Sequence, residues 1–332
     1  MLTMPISSLI GLPISGWLVS KYDSRIPLSV AFGLHAVCLA GIGFANSTFT
    51  LVITVFLFAF SMRIGNIAMN TQAITLQKKF DRKINGSFHG LWSTGGIVGV
   101  GFTTLMVGLD VGIVLHLLTV AILALASVVY AYPFLVRNDK SKTGNKLVLG
   151  KPDPYIFYLG VMVFFAAVCE GGMFDWSGIY FQEVVKVEIF TAGYLIFMTT
   201  MALSRFLSDK VIDKIGMALS FTISALLISS GISLAIIFPY FWPSMIGFSL
   251  VGFGTAAVIP MVYSLAGASK KYSPGMAISI VVTYGLVGML IGPPLIGYLS
   301  HAFNLQISFI LFAFSGLMLI PVSRLFFKLK NE

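Results

Sequence analysis

Residues 61–108 read SMRIGNIAMNTQAITLQKKFDRKINGSFHGLWSTGGIVGVGFTTLMVG, two apolar segments joined by a basic loop. The first carries an arginine and two asparagines, and the second is rich in glycine. Arg63, Asn66 and Asn70 are spaced i, i+3, i+7, so on a helix they share one face within about 60° at 3.6 residues per turn. A soluble amphipathic helix is polar along a whole flank. Here LVITVFLFAF precedes the arginine and IAM separates the asparagines, so the segment is apolar nearly all round. Polar groups in such a place must face protein or a wet cavity, not lipid. They either staple neighbouring helices or line a functional path, and the cost of an arginine in mid-span favours the path.

Outward from that stretch the chain is of one kind. Of 332 residues, 57% are hydrophobic and 10% charged, and the mean hydropathy is +0.95. Soluble globular chains carry about 25% charged residues. The apolar material falls into eleven runs, near 1–19, 26–44, 49–76, 86–108, 112–135, 155–181, 189–208, 216–238, 241–267, 275–299 and 303–327. Each is long enough to cross a bilayer core as helix. The sequence predicts an all-α, polytopic helical membrane protein. Cys38 and Cys169 lie inside apolar runs, so no disulfide framework is expected. Met1–Val19 has neither a basic n-region nor a small-residue cleavage site, and so does not read as a signal peptide.

The net charge of +9 is a topology signal and implies no nucleic-acid partner. Eighteen of the 21 basic residues fall in loops on one side: Lys21 and Arg25; Lys78, Lys79, Arg82 and Lys83; Arg137, Lys140, Lys142, Lys146 and Lys151; Lys210 and Lys214; Lys270 and Lys271; and Arg324, Lys328 and Lys330 in the tail. The other side holds Lys186 among Asp110, Glu183 and Glu188. The excess of Lys and Arg predicts that the first set of loops, and the C-terminus, are cytoplasmic.

The chain is also duplicated. A gapless shift of 189 residues pairs Ser15 with Ser204, Leu18 with Leu207, Lys21 with Lys210 and Arg25 with Lys214. It goes on to pair Gly65 with Gly254, Gly86 with Gly275, Thr94 with Thr283, Gly96 with Gly285, Gly99 with Gly288 and Gly108 with Gly297. Loops of both copies lie on the same side, so the repeat is parallel, about an axis along the membrane normal. Residues 1–136 are expected to form one half, 137–154 a polar cytoplasmic linker and 155–332 the other half. Two such halves with a site between them at mid-membrane describe a secondary transporter. The same register pairs the span at 155–181 with positions upstream of Met1. A first helix is therefore expected to be missing, together with roughly 35–45 residues.

Two loops echo the signature G-x-x-x-D-[RK]-x-G-[RK]-[RK]. The first copy reads Gly16, Ser20, Lys21, Asp23, Ser24, Arg25, with serine in the aspartate slot; the second reads Arg205, Asp209, Lys210, Ile212, Asp213, Lys214, without the glycines. With AMNTQ at 68–72, SFHGLWSTGG at 87–96 and EGGMFDWSG at 170–178, the chain resembles the major facilitator superfamily, and within it the YbjJ-like bacterial inner-membrane branch. The resemblance implies two pseudo-repeated six-helix halves, of which about eleven helices are present, and a monomer in the bacterial inner membrane.

No G-x-x-x-x-G-K-[ST] occurs, no His, Cys or Glu grouping has metal spacing, and neither enzymatic activity nor a cofactor is expected. Transport is then passive or driven by a gradient. Glu170 lies at a depth like that of Arg63, in the other half, so the two are expected to pair; Glu170 is alternatively a proton carrier. Asp175, about 140° round the helix from Glu170, is expected to cap a break at Gly171–Gly172 or to substitute in proton coupling. The candidate solute site comprises Arg63, Asn66, Asn70, Trp92, Glu170 and Trp176, a set suited to a small polar organic solute. A cytoplasmic gate is expected at Lys21, Arg25, Arg205, Asp209 and Lys210, with an i, i+4 ion pair between Arg205 and Asp209. Gly95-x-x-x-Gly99 and Gly288-x-x-x-Gly292 are expected to be close packing seams, and Pro260, Pro293 and Pro294 to kink their helices. The alternatives are a transporter-derived sensor that binds without moving solute, or an inactive truncated transporter.

Overall fold

The computed structural model describes residues 3–139 and 152–331, so most of the expected linker, residues 140–151, lies outside the described residues. The first half begins with α1 (Thr3–Lys21), α2 (Arg25–Gly43) and α3 (Thr48–Gln77), followed by α4 (Asn85–Gly108) and α5 (Ile113–Ala131). The second half opens with α6 (Pro154–Tyr180), which runs into a π turn at Phe181–Val185, then α7 (Thr191–Ile215) and α8 (Met217–Ile237). It closes with α9 (Phe241–Ala256), α10 (Val258–Ala266), α11 (Pro274–Ala302), α12 (Leu305–Ser308) and α13 (Ile310–Asn331).

Local chemistry sets these boundaries. Ser47 and Thr50 form a capping box that starts α3, satisfying two amides that the helix itself leaves bare. Asp153 accepts from the Ile156 amide, with Pro154 in the first turn of α6, where its missing N–H costs nothing. Between α7 and α8 the chain turns at Gly216, whose φ of +81° suits glycine. Pro260 removes an amide early in α10, and the helix is broken at Ala257. In the duplicated register Thr71 stands where Pro260 does, and there α3 runs on unbroken for 30 residues. Pro293 and Pro294 fall inside α11 without ending it.

Among the described residues, ten helical stretches are long and apolar enough to cross a membrane, α9 with α10 and α12 with α13 counting as one each. Expected as the eleventh, α7 is 25 residues long, but its second half carries Arg205, Asp209, Lys210, Asp213 and Lys214 and lacks the apolarity. It nevertheless packs along α9 as a spanning helix does. A side chain at Gly252 would collide with Thr200 Oγ1, so the glycine is what lets the two backbones approach.

The duplication is visible in the packing. In the first copy α1 packs on α3, α3 on α2 and α2 on α5; in the second α7 packs on α9, α9 on α8 and α8 on α13. The shift of 189 residues maps each of these pairs onto its copy. Helix α6, which also packs on α10 and α13, is the exception: it has no copy among the described residues.

Two compact units emerge. One holds the residues up to Lys79, α4 from Trp92 onward with α5, and Gly267–Ile280, the start of α11. Phe80–Leu91, the start of α4, belongs to the other, with α6 to α10 and the chain from Val281 on. Each of the two paired helices α4 and α11 thus contributes its first turns to one unit and its remainder to the other.

Candidate membrane-embedded polar site and helix clamp

In the first unit the polar line of α3 is held from within. The Arg63 Nε donates to Ser8 Oγ on α1 at 3.0 Å, and the Asn70 amide donates to the Asn66 carbonyl at 2.8 Å. Asn70 is buried, while Arg63 and Asn66 are half-buried. Two residues on, Gln72 donates to Ser24 Oγ at 2.6 Å and to the Val136 carbonyl at 3.0 Å, and accepts from the Val136 amide at 2.7 Å. Asp139 accepts from the Ser24 amide at 2.8 Å and from its hydroxyl. That network ties α2, α3 and the chain after α5 together at the end bearing the basic loops. Lys21 lies 4.7 Å over the Trp17 ring and Arg25 5.3 Å over Tyr132, contacts that hold a cation without neutralising it. Trp92 is 60% exposed.

The second unit contains a buried ion pair. Glu170 Oε1 on α6 accepts from Arg205 on α7 at 3.1 Å, with side chains 8% and 3% exposed. Within this unit the carboxylate's partner is Arg205, a residue the sequence assigned to the gate. Glu170 Oε2 is buried with no hydrogen-bond partner. Helix α6 is fixed around this pair, with the Tyr155 hydroxyl donating to the Leu265 carbonyl at 2.9 Å and Tyr180 to the Ala235 carbonyl at 2.8 Å.

No break occurs at Gly171–Gly172: α6 is continuous there. Both glycines serve packing, since a Cβ on Gly172 would run into the Phe312 ring and one on Gly171 would lie 3.3 Å from Met289 Cα. Asp175 is exposed. Trp176 donates its indole N–H to the Pro293 carbonyl at 3.1 Å, which leaves only its ring for other contacts.

Asp209, one turn beyond Arg205, does something the sequence did not suggest. Its Oδ1 accepts from the Gly86 amide at 2.8 Å, and Oδ2 accepts from the Ser87 amide and hydroxyl, each at 2.7 Å. Those amides belong to the first turn of α4, where N–H groups have no partner within the helix and the dipole is positive. Asp209 thus caps α4 from another helix. Asp213 extends the clamp, accepting from the Lys83 amide at 3.1 Å, and Asn85 donates to the Pro260 carbonyl at 2.8 Å. The expected Arg205–Asp209 ion pair is replaced by these two separate engagements. Gly86 is essential to the fit: a Cβ there would collide with Ser208 Oγ and lie 2.8 Å from Asp209 Oδ1. The available signal was the pairing of Gly86 with Gly275 next to a charged loop. Lys210 is exposed beside the clamp.

The start of α11 is seated in the first unit on α1. Ser20 Oγ lies 2.5 Å from Ser273 Oγ, and Ser279 donates to the Leu12 carbonyl at 2.5 Å. Gly16 allows the approach, for a Cβ there would lie 2.8 Å from Ser279 Cβ.

The second expected glycine seam is real: a Cβ on Gly288 would lie 2.5 Å from the Phe164 carbonyl oxygen, and one on Gly292 3.0 Å from that of Val168. The first is not. Nothing lies within 4 Å of a Cβ on Gly95 or Gly99. Instead Gly96 and Gly99 border an open apolar groove of ≈ 480 Å³ with Leu39, His116 and Val120. The seam on α11 closes against α6, and the register gives α4 no such neighbour among the described residues.

A duplicated array of membrane-length helices, with an ion pair buried in one copy and an Arg–Asn line in the other, is the build of a secondary transporter. The family model of the Major Facilitator Superfamily matches residues 1–273, and the chain belongs to that family. An uncharacterized MFS-type transporter of Yersinia pestis is 28% identical over 311 residues, 93% of this chain and 81% of that protein. Two crystal structures of FucP share the fold. One, in the outward conformation, matches with a TM-score of 0.81 at 14% identity, covering 98% of this chain and 89% of that one. The other, described as the E. coli Fucose:proton symporter, has a TM-score of 0.78 at 16% identity, covering 98% and 90%.

Proposed function

We propose that this transporter carries a small polar organic solute across the bacterial inner membrane by alternating access of its halves, 1–136 and 155–332, in symport or antiport with protons. The observation that carries this reading is the Glu170 carboxylate, buried with one oxygen on Arg205 and the other without a hydrogen-bond partner. A buried carboxylate with one counter-ion and one open oxygen inside a membrane-length helix is the kind of group that proton relays use. Asp175 is the substitute proton site. That a protein of the same fold is described as a fucose:proton symporter supports the coupling.

Arg63, Asn66 and Asn70 supply donors and acceptors suited to hydroxyl or carboxylate groups. Trp92 and the ring of Trp176 supply apolar faces for a carbon skeleton. The basic loops and the C-terminus face the cytoplasm. Lys21, Arg25, Arg205, Asp209 and Lys210 form the gate at that end.

The test is thermal unfolding of the purified protein across a panel of sugars and small carboxylates. A solute at 100 times its Kd stabilises by about 2.7 kcal/mol. Arg63→Ala is expected to remove the response to that solute, and a response unchanged in Arg63→Ala and Asn66→Ala would rule out the polar line of α3 as its site.

A further inference from the structure

We infer that Ser8 is a positioning residue for Arg63, and that the solute for which it sets the arginine carries a carboxylate. This rests on the proposed solute site on α3; it names the chemical class that site takes and the side chain that selects it.

Helix α1 meets Arg63 at two points. Gly11 lies against its root, for a Cβ on that glycine would sit 3.3 Å from Arg63 Cβ and 3.3 Å from the Phe60 ring. One turn earlier on α1, Ser8 Oγ accepts from its Nε at 3.0 Å. Ser8 is buried, so water does not compete for that bond. Beside it, Ser7 donates to the Phe56 carbonyl at 2.6 Å and ties α1 to α3 through the backbone.

The duplicated register shows that packing alone does not call for this arrangement. It sets Phe197 against position 8, Thr200 against 11 and Gly252 against 63. There the same crossing, α7 on α9, is closed with the small residue on the other helix. A Cβ on Gly252 would run into Thr200 and lie 2.6 Å from the Phe197 carbonyl oxygen. The second copy thus builds the crossing without a cation. In the first, small residues on α1 make room for one and a hydroxyl holds it.

Helices α1 to α5 contain no aspartate or glutamate. An arginine in mid-span is costly, and an anion that arrives with the solute offsets that cost. A guanidinium is planar and holds a carboxylate through two parallel N–H bonds. With Nε on Ser8, the edge that Nε shares with one terminal nitrogen is taken by the protein. A carboxylate then docks across the two terminal nitrogens, and any bonds these hold without solute are exchanged for the solute's. Neutral hydroxyl and amide groups lack both the charge and the second oxygen.

The experiment is thermal unfolding of the purified full chain, titrated with a panel of small monocarboxylates, each matched with the primary amide of the same skeleton. At least one acid is expected to stabilise the protein, with its amide binding about tenfold more weakly. Ser8→Ala is expected to weaken the acid about tenfold, the worth of one hydrogen bond to a charged group, and to leave the amide unchanged. Discrimination between the two is then lost. Ser8→Thr, which keeps the oxygen, is expected to preserve it. Ser7→Ala, which removes a tie between the same helices, is expected to lower Tm and leave discrimination as it is. Stabilisation by none of the acids, equal binding of acid and amide in the wild type, discrimination intact in Ser8→Ala, or equal loss in both alanine variants overturns the inference.

Should Ser8→Ala fail to fold, Arg63→Lys decides: it keeps the charge but loses the planar fork and its anchor. It is expected to lose the same discrimination, and wild-type discrimination there overturns the inference as well. Arg63→Ala reports separately on the proposed site. An acid response unchanged in Arg63→Ala removes the α3 site itself, whereas a response lost there with discrimination kept in Ser8→Ala removes the role of Ser8 alone.

Discussion

The starts of α4 and α11 occupy the same place in the duplicated plan and are held by different chemistry. Position 209 offers a carboxylate to the amides of Gly86 and Ser87, whereas its counterpart, position 20, offers a hydroxyl to that of Ser273. Hydrogen bonds to charged groups contribute about 1.5–3 kcal/mol each, neutral ones about 0.5–1.5. One helix start is therefore clamped firmly and through charge, the other weakly and without it. Duplication supplied two like seats, and a single difference in side-chain type made one of them charged.

Asp209→Ala is expected to show the largest effect, loosening the start of α4 by about 3 kcal/mol, since amide and hydroxyl partners lose a charged acceptor together. Hydrogen exchange at residues 85–88 reads this, and exchange at residues 273–279 should not follow. Equal acceleration at both would mean that the clamps are one structure. Next in size is a contrast of glycines. Gly288→Ala drives a methyl to within 2.5 Å of the Phe164 carbonyl and should cost about 1–3 kcal/mol. Gly99→Ala meets nothing within 4 Å and should gain up to about 1 kcal/mol from helix propensity. Opposite shifts in Tm confirm the contrast, and like shifts break it. The smallest effect is expected from Ser20: Ser20→Ala should weaken the α11 seat by about 0.5–1.5 kcal/mol. Ser20→Asp should instead strengthen it by about 0.3–1 kcal/mol through the helix dipole, as hydrogen exchange at residues 273–276 would report.

The spans were legible because apolar length is a one-dimensional property. The run at 155–181 became Pro154–Tyr180, and that at 86–108 became Asn85–Gly108. Helix α7 was read as ending near 208 because charges begin there, yet it continues to Ile215. Arg205 and Asp209 are spent on Glu170 and on the α4 clamp, inside protein where apolarity is no guide, while Lys210, Asp213 and Lys214 are exposed. Partner choice was the illegible part. Depth along a helix gave Glu170 a level but no azimuth, and within its own unit Arg205 holds it. Spacing put Arg205 and Asp209 on one face, but the bare amides of α4 were the better use of Asp209. Likewise Gly-x-x-x-Gly reads the same on α4 and α11, and only the presence of α6 closes one seam.

Proton-coupled movement of solute through Glu170 is tested most directly by uptake into proteoliposomes under an imposed pH gradient, using the solute that stabilises the purified protein. The wild-type chain is expected to concentrate that solute and to lose the gain when a protonophore is added, while Glu170→Gln exchanges it by counterflow without concentrating it. Concentration by Glu170→Gln equal to that of the wild type would contradict the account.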